Sequence, residues 1–313
     1  MDSVFSQDYR DFEVILVDNA STDGSVEFVR AEYPDVVVVE SDRNVGFAGG
    51  NNLGLGKARG DYILLLNNDT VVEKELLANL LTAFESIPSL GSVQPKIVSM
   101  ENPDKLEPCG MFWTKSSFLY FFGDGEDESL SEYNKPVPVF ANNGAAMLIR
   151  KDVIIEIGLF TDDYWCYYED ADLGNRMWLA GYECWYYPCA TVYHARGNTA
   201  RSFDSGEIQY HYLKNKLMSI LSNLEIRSLL AVLPPFLLMN TLLAIIRLLK
   251  GQFGISFALV RAICFTLQRI PQIVSNRKRV KQIRRVPDRE IFRRTRKNPG
   301  AGYYYRLLLG RAH

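Results

Sequence analysis

Short β-rich runs alternate with helical patterns through the first half of the chain. The runs at 12–17, 36–40 and 62–66 are apolar, and polar residues follow each of them. Stretches with helical periodicity separate the runs, an order typical of βαβ units around a parallel sheet. Sheets of this kind bind their ligands beyond the carboxyl ends of the strands. We therefore predict an α/β domain, with a mostly parallel sheet flanked by helices and a functional site at the polar strand ends.

The distribution of charge divides the chain into two parts. Residues 1–202 contain 15 Lys/Arg against 32 Asp/Glu, whereas residues 203–313 contain 20 against 5. Beyond residue 205 the pattern also becomes helical and apolar. We therefore predict an α/β domain over residues 1–205 and a helical, apolar and basic region over residues 206–313. This asymmetry suggests an anionic surface as the partner of the second region.

The helical region has the composition of a membrane-associated segment. The run Ser228–Ile246 contains no charge over 19 residues, which is near the lower limit for crossing a bilayer, but Pro234-Pro235 argue against a simple straight span. A second apolar stretch, Ile255–Ile273, places Arg261 and Arg269 on one predicted helix face. Such a face suits a helix that lies in the membrane interface. Both spanning and interfacial helices are therefore compatible with the sequence.

A basic run that begins at Arg277 follows the apolar stretches. Basic residues beside apolar helices favour the acidic headgroups of a cytoplasmic leaflet. The alternative is a soluble helical subdomain with a solvated or nucleic-acid-binding tail, but we expect no nucleic acid because exposed aromatic platforms do not accompany the basic residues. Five cysteines without metal-ligand spacing agree with a reducing compartment. We predict a protein at the cytoplasmic face of the cell membrane, peripheral or shallowly inserted.

Two polar loops follow the first two predicted strands. The turn Asp18–Gly24 can cap the next helix with its hydroxyl and carboxylate side chains, but Asp18 at the strand end could also hold a ribose hydroxyl or a base N–H. The glycine-rich loop Asn44–Asn52 is compatible with simple turn chemistry. Alternatively, its missing side chains allow a ligand to approach the backbone, with a phosphate at the helix N-terminus. A Gly-Lys-Ser/Thr ending is absent, which argues against a P-loop.

Two further strand ends carry candidate metal ligands. Asn67-Asn68-Asp69 follows the apolar run Ile63–Leu66. Asp69 could simply cap the next helix, or it could hold Mg²⁺ or Mn²⁺ together with phosphate oxygens and water. His194 ends a later strand and is one of only three histidines. It could be a structural residue or a metal ligand.

An acidic cluster lies between aromatic residues and a predicted helix over 171–180. Glu169, Asp170 and Asp172 fall within four residues. Such acids can simply be solvated at a helix start, but aromatic neighbours indicate a partly dry environment, where like charges raise one pKa and produce a usable base. We prefer Asp170 as the base, because it would be the N-cap of the helix at the mouth of a cleft.

The order of these motifs resembles that of family-2 glycosyltransferases with a GT-A fold, in particular their rhamnosyltransferase-like branch. The resemblance covers residues 1 to about 220, and its motifs are Asp18–Gly24, Asn44–Asn52, Asn67–Asp69, Gly144–Arg150, Glu169–Leu173, Gly181-Tyr182, Pro188 and His194. The family begins one strand earlier, whereas this chain opens at Ser3–Tyr9, which matches the end of the first helix. The resemblance therefore implies that the first strand and most of its helix are missing. A start codon placed too late and a truncated paralogue both agree with this.

The resemblance also implies a role for each matching residue. Asp69 would bind Mg²⁺ or Mn²⁺, and His194 would complete the metal site. Asp170 would be the base that deprotonates the acceptor, with Glu169 binding acceptor hydroxyls or orienting its neighbour. The donor-binding positions would be Asp18, Asn19, Asn44, Gly46, Asn51, Asn67, Asn68 and Asp69. Asn67 stands where the family has the first acid of an Asp-x-Asp motif.

The predicted activity is that of an inverting, metal-dependent glycosyltransferase. It would move a sugar from a nucleoside-diphosphate-sugar donor to a glycan or polyprenyl-linked acceptor in cell-surface polysaccharide or glycoconjugate synthesis. A single in-line displacement inverts the anomeric centre without a covalent nucleophile. The rivals are a transferase acting on polyprenyl phosphate itself, whose ionised acceptor needs little help from a base, and a non-catalytic membrane scaffold that retained the fold.

Overall fold

The computed structural model describes residues 1–115, 117–195, 204–300 and 302–304. Its α/β part contains ten strands and six helices within the described residues. The helices are α1 Asp2–Phe5, α2 Ser25–Glu32, α3 Gly46–Leu55, α4 Leu76–Ser86, α5 Lys151–Ile157 and α6 Glu169–Leu179. The strands are β1 Ile15–Asp18, β2 Val37–Glu40, β3 Tyr62–Leu66, β4 Thr70–Val72, β5 Leu90–Ser99, β6 Met111–Trp113, β7 Leu119–Phe121, β8 Val137–Val139, β9 Ala146–Arg150 and β10 Glu183–His194.

The central sheet is mixed. Its strand order is β3-β9-β5-β10-β4, with β8 also paired to β10, while β1 and β2 form a separate parallel pair. Within the six-stranded sheet only β5 and β10 pair in parallel; β9 runs antiparallel to both of its neighbours. The α/β class is confirmed, but the expected mostly parallel sheet is wrong. The segment between β5 and β9 carries the β6–β7 hairpin instead of a crossover helix, so the chain re-enters the sheet in the opposite direction.

Two elements differ from their sequence-based predictions because of long-range pairing. The sequence pattern predicts a helix over Val71–Ser86, but β4 pairs antiparallel with the end of β10, and α4 begins only at Leu76. The β-branched side chains of Thr70–Val72 favour this strand. The pattern also predicts a strand over Cys184–Tyr187 that ends before Pro188, whereas β10 continues to His194. A register shift between Tyr186 and Thr191 accommodates the proline, which cannot donate to the ladder.

The helical part contains five further helices within the described residues. They are α7 Ser205–Asn223, α8 Ile226–Leu249, α9 Phe253–Gln268, α10 Ile270–Ile283 and α11 Asp288–Thr295. Trp178 of α6, Leu217 of α7 and Phe236 of α8 belong to one buried cluster. The helical part therefore shares a hydrophobic core with the α/β part.

Helix α8 continues through Pro234-Pro235, and most of its apolar surface is exposed. Only 17% of its most apolar 18-residue window is buried. Among the described helices, α8 is long and apolar enough to cross a membrane, and a second span is obtained only if α9 and α10, bent by 71°, are counted together. The bend lies at Arg269, so Arg261 and Arg269 do not share one straight helix face as predicted.

Several basic side chains of the helical part contact the α/β part. Arg269 lies 3.2 Å from Asp163, and two arginines of the later basic run also pair with acids of the α/β part. These later pairs, both at 2.7 Å, are Arg285–Glu156 and Arg294–Glu183. Part of the charge asymmetry is therefore satisfied within the chain.

Candidate active site

The ends of β3 and β10 bring the predicted metal ligands together. Oδ1 of Asp69 lies 3.1 Å from Nε2 of His194. The side-chain nitrogen of Asn67 is 3.2 Å from the same ring atom. Because β4 folds back on β10 directly after Asp69, the loop 67–69 is held against the last residue of β10. Asn68 lies in this loop with its side chain exposed.

Glu107 lies behind His194 and was not predicted. Both of its carboxylate oxygens are 2.9 Å from Nδ1 of His194, and only 3% of its side chain is exposed. A carboxylate at Nδ1 fixes the ring and holds a proton there, so Nε2, which faces Asp69, is the ring nitrogen available to a cation. Burial by itself would lower the pKa of His194, but the hydrogen bonds and charges of Glu107 and Asp69 outweigh it, and the pKa is raised.

This donor set fits a hard or borderline divalent cation. Asp69 offers a carboxylate oxygen, and His194 offers an imidazole nitrogen whose ring is oriented by the carboxylate of Glu107. Divalent metal sites in proteins commonly combine these features. Within the described part of the chain, no group of three or more His, Cys, Asp or Glu side chains could hold a metal ion by itself. A cation held by Asp69 and His194 would therefore take its remaining oxygens from a ligand and from water, as Mg²⁺ often does with phosphates.

The first two polar loops contact each other. Asn19 accepts a hydrogen bond from the amide of Val45 and donates to the carbonyl of Gly46, both at 3.3 Å. The carboxylate of Asp18 accepts the amide of Ser21 at 3.1–3.2 Å, so part of its capacity is used by its own turn. The loops after β1 and β2 are thus held against each other.

The glycine at position 46 serves chain packing. Its φ of +74° is left-handed, and a Cβ placed there would lie 2.2 Å from the carbonyl oxygen of Trp165. Asn44 accepts the amide of Gly46 at 2.9 Å, and Asn51 donates to the carbonyl of Phe47 within α3. The residue that approaches this backbone closely is therefore Trp165, in the segment that leads to the acidic cluster.

The acidic cluster begins at a left-handed turn. Tyr167 and Tyr168 have φ of 67° and 72°, and α6 starts at Glu169. Tyr168, rather than Asp170, is the N-cap, because the two left-handed residues start the helix two residues earlier than the helix predicted over 171–180. Asp170 accepts the amide of Gly144 at 3.2 Å and that of Ala171 at 2.8 Å.

The three carboxylates have different environments. Burial raises the pKa of Asp170, and burial and the charge of Asp170 raise that of Glu169. The Oε2 atom of Glu169 is buried and has no hydrogen-bond partner among the residues that the structure describes. Asp172 forms a buried ion pair with Arg176 at 2.8 Å and accepts the amide of Asn223 at 2.7 Å. Asp172 is therefore structural, whereas Asp170 and Glu169 have the properties of proton acceptors near neutral pH.

The Asp69–His194 edge of the sheet (the metal edge) and the carboxylates of Glu169 and Asp170 (the acidic pair) are connected through one loop. The amide of Gly144 donates to Asp170, and the carbonyl of the next residue, Ala145, accepts the amide of Asn67 at 2.9 Å. Residues 143–145 thus connect the carboxylate of α6 to the loop that carries Asp69. The candidate cation ligands and the candidate proton acceptor are thus connected to one short backbone segment.

Residues 1–158 match the family description "Glycosyl transferase family 2". The chain belongs to glycosyltransferase family 2. This confirms the family that the motif order predicted, and it makes the chain a glycosyltransferase with a GT-A-like fold and a helical C-terminal region. The amino-terminal half that carries Asp18, the glycine loop and Asp69 lies within the matched segment.

Known relatives of this glycosyltransferase agree with the rhamnosyltransferase-like branch. An N-acetylglucosaminyl-diphospho-decaprenol L-rhamnosyltransferase of Mycobacterium tuberculosis (strain CDC 1551 / Oshkosh) is 26% identical over 231 residues, 65% of this chain and 73% of the relative. The structure of GalNAc-T7 with UDP, GalNAc and Mn²⁺ superposes with a TM-score of 0.55 at 18% identity, over 72% of this chain and 44% of that one. A mannosyltransferase from Pyrobaculum calidifontis in complex with GDP-Man and Mn²⁺ gives 0.52 at 17% identity, over 85% and 81%.

Proposed function

We propose that this glycosyltransferase moves a sugar, with inversion, from a nucleoside-diphosphate-sugar donor to a glycan or lipid-linked acceptor of cell-surface polysaccharide or glycoconjugate synthesis. The observation that carries the proposal is the meeting of the Asp69–His194 edge with Asp170 at the loop 143–145. A donor diphosphate on that edge leaves its anomeric carbon facing α6, where the acceptor hydroxyl would approach.

Each residue has a chemical role in this proposal. Asp69 and His194 would hold Mg²⁺ or Mn²⁺, which supplies positive charge to the departing diphosphate. Asp170 takes the proton of the acceptor hydroxyl while the new carbon–oxygen bond forms and the diphosphate leaves with the electron pair of the broken bond. Glu169 beside it orients the acceptor or Asp170. The loops after β1 and β2, with Asp18 and Asn19, would bind the nucleoside.

The acceptor side of the proposal rests on the exposed apolar helix. The printed name of the mycobacterial relative specifies a decaprenol-linked substrate. Leu230, Leu238 and Leu249 of α8 are 71%, 63% and 82% exposed, and an extended exposed apolar surface marks a site of membrane or protein contact. We infer that α8 holds the protein at the cytoplasmic face of the membrane, where a polyprenyl-linked acceptor presents its sugar.

The test is a transfer assay with the full chain in detergent. Nucleoside-diphosphate sugars are supplied one at a time with MnCl₂ and a polyprenyl-diphosphate-linked N-acetylglucosamine acceptor. We expect release of nucleoside diphosphate together with a larger lipid-linked glycan, and loss of both on chelation. Calorimetry that detects no Mn²⁺-dependent binding of UDP, GDP or dTDP would instead identify a non-catalytic scaffold.

The same assay distinguishes the rival acceptor class. Polyprenyl phosphate already carries an ionised oxygen, so its glycosylation needs little help from a base. If Asp170→Asn leaves transfer to polyprenyl phosphate unchanged, and no hydroxyl acceptor is used, the enzyme acts on the phosphate.

A further inference from the structure

Glu169 and Asp170 directly follow a backbone turn whose left-handed conformation is unfavourable for the two tyrosines that form it. Tyr167 and Tyr168 are consecutive residues in the left-handed region, with φ of 67° and 72°. Bulky residues with a Cβ rarely adopt this conformation, and two in succession are maintained only if the surroundings hold them. The direction in which Glu169 and Asp170 leave the turn therefore depends on whatever fixes these two tyrosines.

Asn215 of α7 binds the carbonyls of this turn. Its side chain is completely buried, and its Nδ2 donates to the carbonyl of Cys166 at 2.9 Å and to that of Tyr167 at 2.6 Å. Its Oδ1 accepts a hydrogen bond from Nζ of Lys214 at 2.8 Å. Every polar atom of the Asn215 side chain is thus used, and both amide hydrogens go to the turn.

Lys214 adds a second contact and a positive charge. Its Nζ donates to the carbonyl of Asp163 at 2.6 Å, and 3% of the residue is exposed. Burial is the main cause that lowers the pKa of Lys214 to about 8, although nearby negative charge opposes it. Titratable groups of several elements interact electrostatically with Lys214. They are Asp163 and Cys166 before α6, Glu169 of α6, His211 of α7 and Arg269 at the end of α9.

We propose that Asn215 and Lys214 are positioning residues for Glu169 and Asp170, Asn215 by holding the left-handed turn and Lys214 by binding Oδ1 of Asn215 and the carbonyl of Asp163. The proposal rests on the proposed function for its kinetic consequences. Helix α7 then completes the active site, and the helical part contributes to the chemistry as well as to attachment.

The first experiment removes the turn's support. Asn215→Leu eliminates both donors at similar volume, and Asn240→Leu is the matched control, because the buried amide of Asn240 donates only to Phe236 within its own helix. We expect kcat to fall about 10- to 100-fold with donor Kd nearly unchanged, since misplacement of a reacting group by about 1 Å has effects of this size. Equal losses of kcat in the Asn215 and Asn240 variants would overturn the proposal.

Hydrogen exchange separates this proposal from the proposed function. Without any substrate, the amides of residues 161–175 should exchange faster in Asn215→Leu and keep the wild-type rate in Asn240→Leu. If Asn215→Leu does not fold, Asn215→Ser tests the same loss with a smaller residue. Unchanged exchange in a folded Asn215 variant refutes the positioning role whether or not the protein transfers sugar. An inactive wild-type protein with faster exchange in the variant refutes only the transferase.

The second experiment tests the contacts of Lys214. Lys214→Met removes the donor to Oδ1 of Asn215 and to the carbonyl of Asp163, so the amides of residues 161–175 should exchange faster than in the wild type. Lys214→Arg keeps a charged donor at the end of the side chain and should retain most of the protection. Unchanged exchange in a folded Lys214→Met protein would exclude the positioning role of Lys214.

Discussion

The α/β part and the helical part arrange charge and apolar surface in opposite ways. In the α/β part, apolar strands are covered and polar residues collect at their ends, as at Asp69 and His194. In the helical part, Arg285 and Arg294 pair with acids of the α/β part, while several leucines of α8, such as Leu230 and Leu238, are exposed. The difference favours the exposed apolar surface of α8, more than the basic run, as the surface for the proposed membrane contact.

The largest effect should come from the proton acceptor of the α/β part. Asp170→Asn keeps the shape and removes the base, so we expect kcat to fall by about 10²- to 10⁴-fold while donor binding persists. Steady-state kinetics with calorimetry of the donor provide the measurement. The exposed carboxylate of Asp35, at the opposite end of β2, supplies the control Asp35→Asn. If Glu169→Gln abolishes turnover and Asp170→Asn does not, the base has been assigned to the wrong acid.

The apolar face of the helical part should give the next largest effect. Replacing Leu230, Leu238 and Leu242 by Gln removes exposed apolar area whose transfer to lipid is worth more than ~3 kcal/mol in total. Binding to liposomes should therefore weaken at least about 100-fold in a flotation assay. Ile155 of α5 is 73% exposed in the α/β part, and Ile155→Gln should change nothing. Unaltered flotation of the triple variant would mean that the basic residues, and not α8, carry attachment.

Replacing Glu107, the buried carboxylate beside His194, should have a smaller effect than replacing the base. Glu107→Gln leaves Asp69 and His194 in place but removes the charge behind the ring. Loss of such a supporting carboxylate typically weakens metal affinity about 10- to 100-fold, and we expect this range for Mn²⁺ titrated in the presence of UDP or GDP. Glu128→Gln, at a more exposed carboxylate, is the comparison. Equal Mn²⁺ affinity in the Glu107 variant and the wild type would rule out a metal at this edge.

The pH dependence of turnover follows from the raised pKa of Asp170. The base acts only when deprotonated, so activity is present at high pH and is lost as the pH falls through the raised value. The acid limb of kcat/KM should therefore lie above the ordinary aspartate range near pH ~3.9. A limb at or below that range would mean that the buried carboxylate is not the titrating group.

The smallest effect should come from an ion pair between the two parts. Arg294 lies 2.7 Å from Glu183 and over the ring of Trp178, but it is partly exposed, so Arg294→Gln should lower the free energy of unfolding by at most ~1 kcal/mol. Arg293→Gln, whose pair with Glu290 stays within α11, should have even less effect. Thermal melting at low and high salt measures both. A larger loss in Arg294→Gln would show that this pair helps to hold the two parts together.

The sequence by itself determined the family, the α/β class and the positions of the polar strand ends. These follow from local periodicity and from motifs whose residues lie a few positions apart, such as Asn67–Asp69 and Glu169–Asp170. The apolar character of α8 was also readable, because 19 uncharged residues require no partner to be recognised. The metal ligands and the base proposed from these motifs stay predictions.

Only the tertiary structure decided how those residues are supported. Glu107 meets His194 across 87 positions of sequence, and Asn215 meets the tyrosine turn across 48. The antiparallel entry of β9 and the inward direction of the arginines also depend on contacts between distant segments. Glu107 is a single acid before a proline and Asn215 is a single asparagine within a helix, so the neighbouring sequence does not indicate which residue either of them contacts. Such pairings are set by the packing of the whole chain, because hydrogen bonds of buried groups must be satisfied wherever the fold places them.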